Sequence, residues 1–145
     1  MTCCFFGHKD APSTVAHLIE EAIEKLIVDQ GVTSFLVGNQ GNFDSMVLSV
    51  LRKKKIEFPS SMYNVVLAYM PTAGSSEWSP YEYGETMLPE GIEAVHPRFA
   101  ISWRNKWMVN ESDIVICYIN RSWGGAVRYV EMAAKKGKRI INLAE

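Results

Sequence analysis

Between Asp113 and Glu145 the chain reads DIVICYINRSWGGAVRYVEMAAKKGKRIINLAE. This order of apolar run, double glycine, amphipathic stretch and second apolar run constrains the fold more than any other feature. Ile114 to Cys117 is a short apolar run bounded by polar residues, the pattern of a strand covered on both faces. Gly124 and Gly125 place flexible backbone just before a helix expected from about Gly125 to Lys136, and Arg139 to Leu143 predicts a second strand. The free N–H groups and positive dipole end of such a helix favour an anion. The same order occurs upstream in SFLVGNQGNFDSMVLSVLRKKK, with a strand at Ser34 to Val37, a turn from Gly38 to Gly41 and a helix from about Phe43 to Lys55. Two such turns in one small chain point to a nucleotide-like ligand.

The remaining elements continue the alternation. Thr2 to Phe6 predicts a first strand, left through Gly7-His8-Lys9-Asp10. Ser13 is the expected cap of a helix in which Val15, Leu18, Ile19, Ala22, Ile23, Leu26 and Ile27 recur at helical spacing, ending at Gly31. Asn64 to Ala68 predicts a third strand, and Phe99 to Asn110 a helix. Between them, Tyr69 to Pro97 carries Pro71, Pro80, Pro89 and Pro97 without a sustained period, so it reads as a long loop with room for a short helical turn. Strands alternating with helices predict an α/β, Rossmann-like three-layer sandwich: one domain over residues 1–145, with right-handed crossovers and a mostly parallel sheet of about five strands. Ligands of such sheets bind beyond the carboxyl ends of the strands. The loops starting at Gly7, Gly38, Tyr69 and Ile119 should meet there.

Composition narrows the function classes. The formal net charge is -1, with 48% hydrophobic and 21% charged residues, which fits an ordinary soluble protein and argues against nucleic acid as the partner. No stretch approaches the roughly 18 apolar residues of a membrane span, and MTCCFFGHKD has no basic n-region, so a cytoplasmic protein is expected. Cys3, Cys4 and Cys117 all fall in expected strands and read as reduced core thiols; Cys3 and Cys4 should point to opposite sheet faces. His8, His17 and His96 have no ligand-like spacing with Cys or acids, so no metal site and no required cofactor are expected. Magnesium is compatible with a phosphate ligand.

Several side chains in these loops have both a structural and a functional reading. Asp44 suits the first turn of a helix through the dipole, and it could equally accept from ribose hydroxyls or order the glycine turn. His8, at a strand end beside Lys9, is expected to contact ligand. Trp78, Tyr81 and Tyr83 are either an aromatic wall against a base or a small cluster under the long loop. Trp103 and Trp107, four apart, are expected to pack on the sheet. Lys53-Lys54-Lys55 is explained by the helix dipole and solvent.

These landmarks together resemble the SLOG superfamily, the Rossmann-like domains named for the Smf/DprA and LOG (Lonely Guy) proteins. Cys4-Phe5-Phe6-Gly7-His8-Lys9 is similar to the Cys-Phe-x-Gly-His-Arg pattern of the YpsA-like branch, with Lys9 in place of Arg. The turn Gly38-Asn39-Gln40-Gly41-Asn42-Phe43-Asp44 matches the place where members set glycines against a phosphate or ribose. The segment from Trp123 resembles the LOG signature Pro-Gly-Gly-x-Gly-Thr-x-x-Glu, keeping Gly124, Gly125 and Glu131 while Trp123, Val127 and Arg128 depart from it. Arg104 precedes Met108 as an Arg precedes a Met in LOG enzymes. The resemblance implies a sensor-type domain that binds a nucleotide or nucleotide-derived molecule through Gly7, His8, Lys9, Gly38, Asn39, Gly41, Asp44, Trp123, Gly124 and Gly125. It also leaves open a phosphoribohydrolase that cleaves the N-glycosidic bond of a nucleoside monophosphate with Glu131 and Arg104 as catalytic residues. A DprA-like DNA-processing accessory protein is a third reading. LOG-type proteins commonly pair, so a homodimer is also implied.

Overall fold

The computed structural model describes residues 1–145. The chain runs β1 (Thr2–Gly7), a 3-10 turn (Ser13–Val15) continuing into α1 (Ala16–Gln30), β2 (Ser34–Val37), α2 (Asn42–Glu57) and β3 (Met62–Val66). It continues with β4 (Thr86–Met87), α3 (Ala100–Glu111), β5 (Ile114–Tyr118), α4 (Gly125–Lys135) and β6 (Arg139–Asn142). The six strands form one sheet in the order β4-β3-β2-β1-β5-β6, with every neighbouring pair parallel. The expected α/β, Rossmann-like sheet is therefore present; the strand beyond the five foreseen is β4, two residues inside the long loop. No helix is long and apolar enough to cross a membrane.

Two hydrophobic clusters make the three layers. Side chains of β1, β2, β3 and β5 on one face pack with Ile19, Ile23 and Leu26 of α1 and Phe43, Val47 and Leu51 of α2. The opposite face packs with Met108 and Val109 of α3 and Tyr129 and Ala133 of α4. Cys3 belongs to the first cluster and Cys4 to the second, as alternation along a strand requires. All three cysteines are free and buried. Burial pushes the Cys4 and Cys117 thiols up to about 12, so they serve as apolar core groups.

Local features depart from the sequence reading in several places, and β3 starts and ends two residues before the expected Asn64 to Ala68. Ser13 makes no side-chain cap; α1 is entered through the turn in which Val15 N–H donates to Pro12 O at 3.1 Å. Lys54 is not on a solvated face: it is 2% exposed and meets Glu20, Glu24 and Glu57 within 3.3, 3.8 and 3.0 Å. Trp107 packs on the sheet cluster, but Trp103 packs with Ala68, Ile92 and Ala100 beneath the long loop.

That loop is tied down by one carboxylate. Glu85, 4% exposed, accepts from Arg52 Nε at 2.6 Å and Nη2 at 2.8 Å, from Tyr63 Oη at 2.8 Å and from Glu82 N–H at 2.8 Å. Burial opposes its charge, but the Arg52, Glu82 and Tyr63 donors outweigh burial and hold the carboxyl below its ordinary value. Its contribution to stability is thus present above the unfolded carboxyl value and is lost as pH falls through the folded one. Glu85→Ala should cost about 2–3 kcal/mol at neutral pH, measured by urea unfolding, because it removes the carboxylate shared by Arg52, Tyr63 and the Glu82 amide while Arg52 stays partly solvated. A change below about 0.5 kcal/mol would show that the loop is held by something else.

Candidate functional site

Strand order reverses at β1, which has β2 on one side and β5 on the other. Beyond the carboxyl ends of these strands opens a cavity of about 400 Å³, within the usual range for small-molecule sites. Phe6, Gly7, His8 and Lys9 come from the end of β1, Gly38 and Asp44 from the β2–α2 turn, and Arg121 and Trp123 to Gly125 from the β5–α4 loop. Helix α3 adds Ile101, Arg104, Asn105 and Met108, and α4 adds Ala126 and Tyr129. One side is apolar, where the Phe6 and Tyr129 rings stack at 5.6 Å beside Met108 and Ile101. The other side is polar and carries Lys9, Arg104 and Arg121 against the single carboxylate of Asp44.

The two helix starts facing this crevice differ in what their amides have to do. At α2, Asp44 Oδ2 takes Gln40 N–H at 2.9 Å, and Asn42 N–H donates to Lys9 O at 2.9 Å. Gly41, at φ 99°, lets the loop after β1 approach: a Cβ there would lie 2.6 Å from Lys9 Cα. The turn is therefore closed on the protein's own groups, and Asn39 and Gly41 lie off the cavity wall. At α4, Gly124 has φ 114° and makes no side-chain cap, and a Cβ at Gly125 would meet nothing within 4 Å. The α4 start is the one that presents open backbone to the cavity, with the partial positive charge of a helix N-terminus.

Arg104 is 1% exposed. Its Nη1 donates to Val66 O at 2.8 Å and Asn39 Oδ1 at 3.2 Å, and its Nε to Asn105 Oδ1 at 2.7 Å. Nη2 has no partner in the chain, and no carboxylate forms an ion pair with the guanidinium. Burial holds the Arg104 value below its ordinary one, offset in part by Asp44. Asp44 behaves in the complementary way: burial raises its carboxyl to about 6, against the lowering effect of Gln40 N–H and the Arg104 and Lys9 charges. Gly38 separates the two, since a Cβ there would sit 3.1 Å from Asp44 Oδ2 and 3.3 Å from the Arg104 guanidinium carbon.

His8 is buried, and its Nε2 accepts from Asn120 N–H at 3.2 Å. That bond leaves the ring proton on Nδ1, the edge next to Gly124. Burial and the Arg121 charge lower its value, so the ring is neutral at neutral pH. Gly7 is fixed by packing, because a Cβ there would land on the Phe43 ring. Arg121 pairs with Asp10 through two 3.0 Å contacts and stacks over Trp123 with its guanidinium carbon 4.0 Å from the ring centre. Its Nε is buried without a partner. Trp123 itself is 66% exposed at the rim.

Glu131 is not part of this constellation. It is exposed on α4 beside Arg128, Met132, Lys135 and Lys136, in a shallow depression outside the cavity. The structure does not bring Glu131 and Arg104 together, because the face of α4 that carries Tyr129 and Ala133 is the one turned to the sheet. Trp78 and Tyr81 pack against the main core and Tyr83 is fully exposed, so none of them walls the cavity. Arg121, Asn105 and Tyr129 were not foreseen. Arg121 had a signal, a cation in the loop leaving a buried strand, and Asn105 lies directly after Arg104 within the stretch that runs to Met108; Tyr129 lies inside a helix without a motif. No group of three or more His, Cys, Asp or Glu side chains comes together as metal ligands would.

No family model matches the chain, and no curated protein matches it in sequence. In structure it is similar to DNA processing protein A (DprA) from Streptococcus pneumoniae, with a TM-score of 0.65 and 15% identity over 96% of this chain and 48% of that one. The chain thus spans about half the length of that protein. The likeness is one of fold, and it agrees with the Rossmann-like architecture that the SLOG resemblance implies.

Asp44 supplies a pH test of the cavity's electrostatics. A carboxyl raised in the folded state contributes stability below its unfolded value, near 4, and that contribution is lost as pH rises through about 6. Urea unfolding across pH should show wild type losing stability relative to Asp44→Asn between about pH 4 and pH 6, and then running parallel to it above about pH 7. Curves parallel throughout would mean that the carboxylate is solvated as an ordinary surface group.

Proposed function

We propose that the chain binds a nucleotide or nucleotide-derived anion in this cavity, as a sensor-type SLOG domain of the YpsA-like branch in the cytoplasm. The observation that carries the reading is the Arg104 guanidinium, buried at the cavity wall with Nη2 unpartnered and no carboxylate paired to it. A buried cation whose nearest carboxylate, Asp44, offsets its burial only in part and makes no ion pair with it is costly, and an anionic ligand would supply the missing partner. The open start of α4 at Gly124 and Gly125 offers the same anion backbone donors. The stacked Phe6 and Tyr129 rings, with Met108 and Ile101, provide the apolar side on which a base would rest.

In this reading the phosphate lies at Gly124 and Gly125 within reach of Arg104, and the Gly38 to Gly41 turn shapes the wall instead of gripping the ligand. Asp44 and Asn105 are the groups placed to meet hydroxyls. The volume of about 400 Å³ suits a mononucleotide better than an extended dinucleotide. DNA, suggested by the name of the similar structure, finds less support, since the basic groups converge inside a cavity on a chain of net charge -1.

Thermal unfolding with AMP, ADP-ribose, NAD and cyclic nucleotides tests the reading. A ligand at a hundredfold its Kd should add about 2.7 kcal/mol of stability, the ligand should be recovered intact by chromatography, and Arg104→Gln should lose the shift. Free base in the mixture would overturn the sensor reading in favour of turnover. Absence of any shift, together with salt-dependent binding of single-stranded DNA, would replace it with a nucleic-acid function.

A further inference from the structure

Three acceptors hold the Arg104 guanidinium, and they belong to three different parts of the fold. Val66 O ends β3, and Asn105 Oδ1 is the next residue of α3. The third, Asn39 Oδ1 at 3.2 Å, sits on the exposed turn after β2, where Gln40 Nε2 also donates to it at the long distance of 3.5 Å. The other end of the amide is held by a residue far along the chain: Asn39 Nδ2 donates to Tyr81 Oη at 3.1 Å. An amide that donates from one end and accepts at the other is fixed in one of its two flipped orientations, with its oxygen toward the guanidinium.

Tyr81 is in turn held at the clasp of the long loop. Arg52 Nη2 donates to Pro80 O at 2.7 Å, one residue before it, while the same guanidinium grips Glu85 four residues after it. Tyr81 N–H also closes a turn from Trp78 by donating to Trp78 O at 3.0 Å. The Arg52–Glu85 clasp therefore fixes the backbone at Pro80, next to Tyr81, and hydrogen bonds lead from the Tyr81 hydroxyl through Asn39 to Arg104. Neither Tyr81 nor Asn39 lines the cavity.

We infer that Tyr81 and Asn39 are positioning residues for Arg104, so that the long loop between Tyr69 and Pro97 sets the anion affinity of the cavity without touching the ligand. The inference rests on the ligand-binding reading above. Arg104 keeps its other two anchors when the relay is cut, so its Nη2 edge loses alignment while the fold persists.

Titration calorimetry with AMP on the full chain tests this, using Tyr81→Phe, Asn39→Ala and the double variant. Tyr81→Phe removes one hydroxyl and should weaken AMP binding about twofold to tenfold, the range of one hydrogen bond, with a melting temperature close to wild type. Asn39→Ala should weaken it at least as much. The double variant should bind like Asn39→Ala alone, because Tyr81 acts only through Asn39; a general loosening of the loop would instead add its effect in both backgrounds. Wild-type affinity in Tyr81→Phe, or additive losses in the double variant, would overturn the positioning role while leaving nucleotide binding intact. Failure of wild type itself to bind AMP would remove both the AMP reading and this inference.

Discussion

A guanidinium removed from water at the carboxyl edge of a parallel sheet is the constraint around which this structure is arranged. Arg104 is 1% exposed, and holding such a charge requires hydrogen-bond acceptors on every side that water no longer reaches. The protein provides a strand-end carbonyl, a neighbouring amide and an amide from the β2–α2 turn, and it keeps Asp44 near without an ion pair. One nitrogen is left facing the cavity. The long loop covers this arrangement from outside, and its own stability depends on a second buried charge, Glu85, satisfied by four donors.

The two glycine turns look alike in sequence and do different things in space. At α2 the first-turn carboxylate of Asp44 folds back onto Gln40 N–H, and the approach of Lys9 over Gly41 takes Asn42 N–H, so these two amides and the helix dipole already have partners within the chain. At α4 no acid stands in the first turn and no side chain caps it. The difference follows from one residue: an acid near the start of the helix acts as an internal anion, and only α2 has one. The proposed backbone contact to phosphate therefore falls to α4, while α2 shapes the wall between Asp44 and Arg104.

The layered fold was legible because it rests on local, periodic signals. Ile114 to Cys117 is a strand buried on both faces, Gly31 ends α1 in the left-handed conformation, and Cys3 and Cys4 part to opposite clusters. Glu131 matches the motif, but its helical phase sets it outside the cavity. With Tyr129 and Ala133 buried, a residue two positions after Tyr129 lies roughly 200° around the helix from it and faces away from the cavity. Burial of Arg104 was not legible at all, since α3 mixes polar and apolar residues around its circumference and the covering groups come from β3 and a loop distant in sequence. The two-residue β4 and the Glu85 clasp are likewise products of tertiary contact, with no period to announce them.

The central claim, that an anion completes the Arg104 and α4 site, is tested most directly by following the backbone amides of Gly125 and Ala126 and the Arg104 side-chain N–H groups by NMR during titration with AMP. The account predicts that these resonances shift together along one saturating curve, with the Asn42 and Gln40 amides moving little because their hydrogen bonds are already made within the chain. Shifts confined to exposed lysines, or movement at the α2 start without movement at Gly125 and Arg104, would contradict it.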